Sequence, residues 1–212
     1  MSIFAGLLDK RFAVSEMPIV EMPVAIFPEE ARFVAQAVEK RRREFLAGRA
    51  CAHKALAELG AAPAALLSDT DRLPIWPEGY IGSITHTDRY CAAAIAKTGE
   101  EIRSVGIDLE PAEDLPSDLW ETVCRPEERA WLASALAGER SLLARAIFSA
   151  KECAFKAQFP LTRTMLEFEE VAVTFDLPRG LFTASFVSGA AKSSAQGRIK
   201  IANGFVACAM SL

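Results

Sequence analysis

Histidine is almost missing from this chain of 212 residues: only His53 and His86 occur. That scarcity disfavours a zinc site. The five cysteines, Cys51, Cys91, Cys124, Cys153 and Cys208, are odd in number and widely spaced, and no Cys-x-x-Cys occurs. Most sit among Ala, Val and Phe, so they read as reduced core residues of a cytoplasmic protein. No run of about 18 apolar residues exists, so no membrane-spanning helix is expected. The apolar residues 3–8 meet Asp9, Lys10 and Arg11 at once, too short a run for a signal peptide. A Gly-x-Ser-x-Gly elbow is absent, which removes support for Ser/His/Asp hydrolysis. There is no short repeat and no low-complexity tract.

What is present is an ordinary globular balance, 51% hydrophobic and 25% charged, in a length that fits one large domain or two small ones. The net charge of −4 is uneven. Residues 40–54 carry Lys40, Arg41, Arg42, Arg43, Arg49 and Lys54 against Glu44, a net +5, leaving −9 for the rest. Such local asymmetry points to an anionic ligand or an acidic partner. Nucleic-acid binding would need a basic chain with interleaved aromatics, so it is not expected.

Taken in order, the chain predicts a strand near Val24–Phe27 and a helix from Pro28-Glu29-Glu30 to about Val38. A second helix runs from Arg41 to Leu59 and is closed by Gly60. Residues 66–77 read as a loop. Tyr80–Thr87 and Tyr90–Lys97 read as a hairpin, followed by a strand over 105–110. An acidic, proline-bearing linker at 111–116 marks the boundary between two halves, residues 1–110 and 111–212. Helices are expected over 118–123, 126–136 and 142–159. Strands follow at 171–175, 181–187, 196–201 and 205–210, with Asn203-Gly204 turning the last pair into a small antiparallel sheet. Each half thus offers helix and sheet in similar amounts. The expected fold is α+β, with two similar α/β lobes in a pseudo-twofold arrangement and the active site in the cleft between them.

Two short stretches carry chemistry. In Val105-Gly106-Ile107-Asp108-Leu109-Glu110 the side chains alternate, so Asp108 and Glu110 project from one face of a strand. Gly106 leaves room for close approach of a ligand. In Phe148-Ser149-Ala150-Lys151-Glu152-Cys153-Ala154-Phe155-Lys156, helical spacing gathers Ala150, Cys153, Ala154 and Ala157 into a narrow packing face. Glu152 and Lys156 lie one turn apart on the other face. Asp-x-Glu alone is also a common solvated strand, and Glu-to-Lys at this spacing a common surface pair. Three carboxylates and a lysine brought together would suit a hard divalent cation bound to a phosphate. Cys153 falls on the packing face, where a buried thiol is inert. His86, within Gly82-Ser83-Ile84-Thr85-His86-Thr87, is either a hydrogen-bonded strand end or a phosphate ligand beside two hydroxyls.

Together and in order, Trp76 to Thr87, Val105 to Glu110 and Phe148 to Lys156 resemble the three signatures of the 4′-phosphopantetheinyl transferases. The likeness is to the enterobactin synthase component D type, a monomeric two-lobed class linked to siderophore biosynthesis. Arg43 to Ala52 also resembles that type's N-terminal helix. The resemblance spans roughly residues 40–160. It implies transfer of the phosphopantetheine arm of coenzyme A to a serine of an acyl or peptidyl carrier protein, with release of adenosine 3′,5′-bisphosphate. It further implies that Asp108, Glu110 and Glu152 bind Mg²⁺, and that Lys156 and His86 meet coenzyme A phosphates. Arg43 and Arg49 would lie near the 3′-phosphate. Two positions depart from the pattern. Thr85 stands where serine is common, keeping a hydroxyl for cofactor contact. Leu73 stands where some relatives carry lysine before the proline, with Arg72 one step earlier as the candidate nucleotide contact.

These residue types suit the reaction. Pyrophosphate is multiply charged, and charge builds on the leaving oxygen. A Mg²⁺ with open positions spreads that charge, Lys156 adds a fixed positive point and His86 a donor. Glu152 is the candidate base for the serine proton, directly or through a water on the metal. Two other readings compete: a catalytically silent paralogue that binds coenzyme A or a carrier, and a metal-dependent phosphohydrolase. Retention of all three carboxylates and Lys156 argues against the first. The second would want more carboxylates or histidines for two metals.

Overall fold

The structure is a computed structural model that describes residues 2–23, 25–187 and 193–212. It is mixed α+β, as the sequence predicts, and forms two compact units. One is Asp9–Val105; the other joins the residues up to Leu8 with Gly106–Leu212. The units therefore part after Val105, whereas the linker composition pointed to a boundary after Glu110. Hydrogen bonding explains the difference. The strand bearing the two acids pairs with the last strand of the chain, so it belongs to the later sheet.

In the Asp9–Val105 unit, β1 (Phe12–Pro18), α1 (Pro28–Phe33), α2 (Glu39–Glu58), β2 (Tyr80–His86) and β3 (Tyr90–Lys97) follow in order. The sheet order is β1-β3-β2, antiparallel throughout. The strand expected near Val24–Phe27 is not there: residues 25–27 are irregular and Val24 lies outside the described residues. The strand of this stretch is β1, where Phe12, Ala13 and Ser15 turn inward. Proline at 23 and 28 leaves too little free backbone between them for a ladder. Helix α1 ends at Phe33 rather than near Val38. Beyond it Ala35 and Ala37 donate only three residues back, to Arg32 and Val34, so the chain continues as turns. The hairpin between β2 and β3 is closed by Thr87, whose hydroxyl accepts from the backbone N–H groups of Arg89 and Tyr90. β3 turns Cys91, Ala93 and Ile95 toward α2, which packs on the sheet through Ala47, Cys51, Ala52 and Ala55.

In the other unit, β4 (Val105–Pro111), α3 (Trp120–Val123), α4 (Pro126–Ser134), α5 (Arg140–Thr162), β5 (Val171–Asp176), β6 (Leu181–Phe186), β7 (Ser193–Ala202) and β8 (Phe205–Ser211) follow. The sheet order is β4-β8-β7-β6-β5. The tail expected as a small antiparallel sheet is β5 to β8, with β4 added at its edge. Asn203 and Gly204 both have positive φ, 56° and 78°, which fits the tight hairpin between β7 and β8. The two sheets differ in size, three strands against five.

Helix α5 is the axis of this unit. Ala150, Cys153, Ala154 and Ala157 are fully buried and share a core with Val171, Phe182, Val206, Cys208 and Met210. The predicted packing face is therefore real. Gly106 has a different use from the one its spacing suggested. A Cβ built on it would stand 2.0 Å from the Cys153 carbonyl oxygen and 2.6 Å from the Ala157 nitrogen. Helix backbone, not a ligand, fills the space that the missing side chain leaves. Cys153 seals the contact by donating its thiol to the Gly106 carbonyl at 3.2 Å.

Because backbone atoms cannot swing aside as a side chain can, Gly106→Ala is expected to lower unfolding free energy by about 2–3 kcal/mol or more. Urea midpoints at constant m-value measure this. An unchanged midpoint would contradict the close contact.

Candidate active site

The acids of β4 are placed by strand alternation, but the strand is not half-solvated. Val105 to Leu109 are all buried, and Asp108 is only 3% exposed. A carboxylate so deep needs a partner. Asp108 Oδ1 accepts from Lys156 Nζ of α5 at 2.6 Å. Its Oδ2 is buried without a hydrogen-bond partner among the described residues. Burial alone would lower the Lys156 pKa, but the charge and hydrogen bond of Asp108, helped by Glu152, more than reverse it. Lys156 is thus held as an ammonium. Its bond runs across to β4 rather than along the helix to Glu152.

Glu110 is partly buried, and its Oε2 accepts from Arg145 Nη1 at 3.0 Å. Burial, then the Asp108 charge, push its carboxyl up to about 7, against the pull of Arg145 and Lys156. Glu152 is also raised, by burial first and by Asp108, against Lys156. Asp108 therefore sits within electrostatic reach of both other acids, and the three predicted carboxylates and Lys156 form one neighbourhood. Yet among the described residues no three acid, histidine or cysteine side chains are gathered as a ready metal shell. Lys156 occupies one oxygen of Asp108 and Arg145 one of Glu110.

A second network was not legible in the sequence. Lys151, next to Glu152, is only 1% exposed. Its Nζ donates to the carbonyls of Val123 and Phe168, both at 2.8 Å, and pairs with Glu128 at 2.8 Å. Burial lowers its pKa, and Glu128 opposes that. Glu128 in turn accepts from the backbone N–H groups of Arg125 and Val173. One buried ion pair thus ties α3, α4, α5 and β5 together and fixes the rotation of the helix that presents Glu152. Pro126-Glu127-Glu128 signals a helix start, which conceals this second use of Glu128. Beside it, Lys151, Glu152, Phe155, Met165, Leu166 and Phe168 line a cavity of about 160 Å³.

In the Asp9–Val105 unit, the basic run falls in the first turns of α2. His86 ends β2, with Arg41 Nη1 at 3.3 Å from its Nε2 and Glu44 Oε2 at 3.9 Å from its Nδ1. Arg43 is partly buried, and its Nε has no hydrogen-bond partner among the described residues. Arg49 is buried: Nε donates to the Leu66 carbonyl at 2.8 Å and Nη2 to Ser68 Oγ at 3.0 Å, with the guanidinium over Phe45. Burial lowers its pKa to about 10. Its visible work is to anchor the loop after α2. Thr85 is buried on β2 opposite Ala92. Arg72 is exposed, with φ of 67°, in a loop whose Asp69 carboxylate accepts from the N–H groups of Asp71 and Leu73. Arg41 and Glu44 flank His86, although the sequence reading gave neither a role of its own. All five cysteines are buried and free, and burial raises the Cys153 thiol well above its usual range, which leaves it inert.

An acid pair on a strand is met here by a lysine and a third acid on a packed helix. The family comparisons are narrower. Residues 29–96 match the 4′-phosphopantetheinyl transferase N-terminal domain, and residues 104–209 match the 4′-phosphopantetheinyl transferase superfamily. The 4′-phosphopantetheinyl transferase Npt of Nocardia iowensis is 38% identical over 93% of this chain and 95% of its own length. PptT of Mycobacterium tuberculosis is 37% identical over 100% of this chain and 96% of its own. Enterobactin synthase component D of Salmonella typhimurium is 32% identical over a shorter span, 69% of this chain. This chain belongs to the 4′-phosphopantetheinyl transferase superfamily.

The raised carboxyl of Glu110 has a consequence for stability. Between about pH 4.5 and 7 the folded protein keeps a proton there that the unfolded chain has released. Folding stability from this group therefore falls as pH rises through that window. With metal chelated, Glu110→Gln should gain on the parent protein from pH 5 to pH 8, read as diverging urea midpoints. Parallel midpoints would show an ordinary carboxyl at 110.

Proposed function

We propose that this chain transfers the 4′-phosphopantetheine arm of coenzyme A to a serine of an acyl or peptidyl carrier protein, releasing adenosine 3′,5′-bisphosphate. The observation that carries the reading is the Lys156–Asp108 pair at 2.6 Å, with the second Asp108 oxygen buried and unpartnered beside two further acids. Family membership of both units supports it.

The donor set fits Mg²⁺. Asp108 Oδ2 has no donor among the described residues, and both glutamates are raised by burial first and by the Asp108 charge besides. Asp108, Glu110 and Glu152 would hold the ion, which when bound neutralises pyrophosphate oxygens and the charge of the departing nucleotide. Lys156 supplies a permanent positive charge for the same oxygens. Glu152, whose carboxyl burial raises above the usual range, accepts the serine hydroxyl proton, directly or through a water, as the oxygen attacks phosphorus. His86 and Arg43 serve coenzyme A phosphates, with Thr85, Arg49 and Arg72 as further contacts on the resemblance. No helix of the described residues is long and apolar enough to cross a membrane. Five free thiols support a cytoplasmic enzyme, and the resemblance implies that it acts as a monomer.

Apo carrier protein incubated with coenzyme A and Mg²⁺, then read by intact mass, tests the proposal. Gain of one phosphopantetheine is expected. Free nucleotide with unmodified carrier would indicate a hydrolase, and no reaction a silent binder. Glu152→Ala should abolish transfer with the thermal midpoint retained; near-parental turnover would remove Glu152 as the base. For Lys156→Ala, kcat should fall more than the carrier KM rises. A raised KM at constant kcat would instead move Lys156 to carrier docking.

A further inference from the structure

On α5, Arg145, Glu152 and Lys156 stand at i, i+7 and i+11, so they share one stripe of the helix. The stripe reads cation, acid, cation. Lys156 meets Asp108, and Arg145 meets Glu110, so each acid of β4 has its own basic anchor on the same helix. The two anchors are not alike. Lys156 makes one bond to its acid, whereas the Arg145 guanidinium is spread over three acceptors. Nη1 donates to Glu110 Oε2 at 3.0 Å, Nε to the Glu113 carbonyl at 3.3 Å and Nη2 to the Asp114 carbonyl at 3.2 Å. The planar fork therefore has its orientation set by backbone at two points, and it imposes that orientation on Glu110. Oε2 is taken. Oε1 has no donor among the described residues.

We propose that Arg145 is a positioning residue for the cation site: its backbone-braced guanidinium fixes the Glu110 carboxylate by one oxygen and leaves the other for the metal. The inference rests on the proposed role of Glu110 as a ligand. Arg145 touches neither substrate nor metal; it acts through Glu110. Partners that orient a ligating carboxylate in this way typically contribute about 10–100-fold to metal affinity.

Mn²⁺ titrated into the full chain with coenzyme A present, followed by electron paramagnetic resonance, reads the site without needing turnover. The parent protein should bind one tight Mn²⁺. Arg145→Gln should bind it at least about tenfold more weakly. Arg145→Lys keeps the charge but cannot span three acceptors, so it should also bind more weakly, and it guards against a glutamine variant that fails to fold. The decisive comparison is the cycle with Glu110→Gln. Since Arg145 works through Glu110, Arg145→Gln should cost little further affinity once Glu110→Gln is present. Failure of the parent protein to bind Mn²⁺ would overturn the cation site itself. Parental affinity in the foldable Arg145 variants, or fully additive losses in the cycle, would overturn the clamp and leave the cation site standing.

Discussion

The contact between Gly106 of β4 and the backbone of α5 is the constraint on which the site depends. With no Cβ at 106, the strand approaches to where a methyl group would stand 2.0 Å from a helix carbonyl. At that separation a residue two further along the strand, Asp108, reaches a residue one turn along the helix, Lys156. A wider spacing would leave a buried carboxylate without its ammonium, a cost of several kcal/mol that the fold could not absorb easily. The chemistry is therefore downstream of a packing decision made by one glycine and four small helix residues.

Around that contact the unit is built to keep charge in place. Lys151 and Glu128, both almost wholly buried, satisfy each other and also the backbone of three neighbouring elements. Such a pair contributes little net stability compared with apolar replacements, but removing either partner would strand a buried charge at the middle of α5. The acids at 110 and 152 are, by contrast, left under tension, with their protons held more tightly than usual. A cation is the natural relief of that tension. The contrast separates the groups that hold the helix from the groups available for chemistry.

Much of this could be read before any coordinates. The small-residue face of α5 follows from a 3.6-residue period, and the strands of the tail follow from alternation and the Asn203-Gly204 turn. Asp108, Glu110, Glu152 and Lys156 were legible because each lies in a short stretch whose periodicity fixes its direction. Other features were hidden for physical reasons. The unit boundary was read from prolines and acids at 111–116, but strand pairing between β4 and β8 is a long-range bond that local composition does not encode. Gly106 signalled a close approach, but local sequence pointed to a ligand where helix backbone is what approaches. Glu128 was disguised by its place in a helix start, and Arg145 by looking like an ordinary solvated cation. Arg49, placed near the 3′-phosphate by the resemblance, also bonds Leu66 and Ser68, a contact that only tertiary structure reveals.

The central claim is that the carboxylates of β4 and α5 converge on one divalent cation. Anomalous diffraction from crystals grown with Mn²⁺ and coenzyme A addresses it without any kinetic inference. The account predicts a single strong peak coordinated by Asp108, with Glu110 and Glu152 in the same shell. A peak with no bond to Asp108, or a bound coenzyme A with Asp108 still paired to Lys156 and no metal beside it, would contradict it.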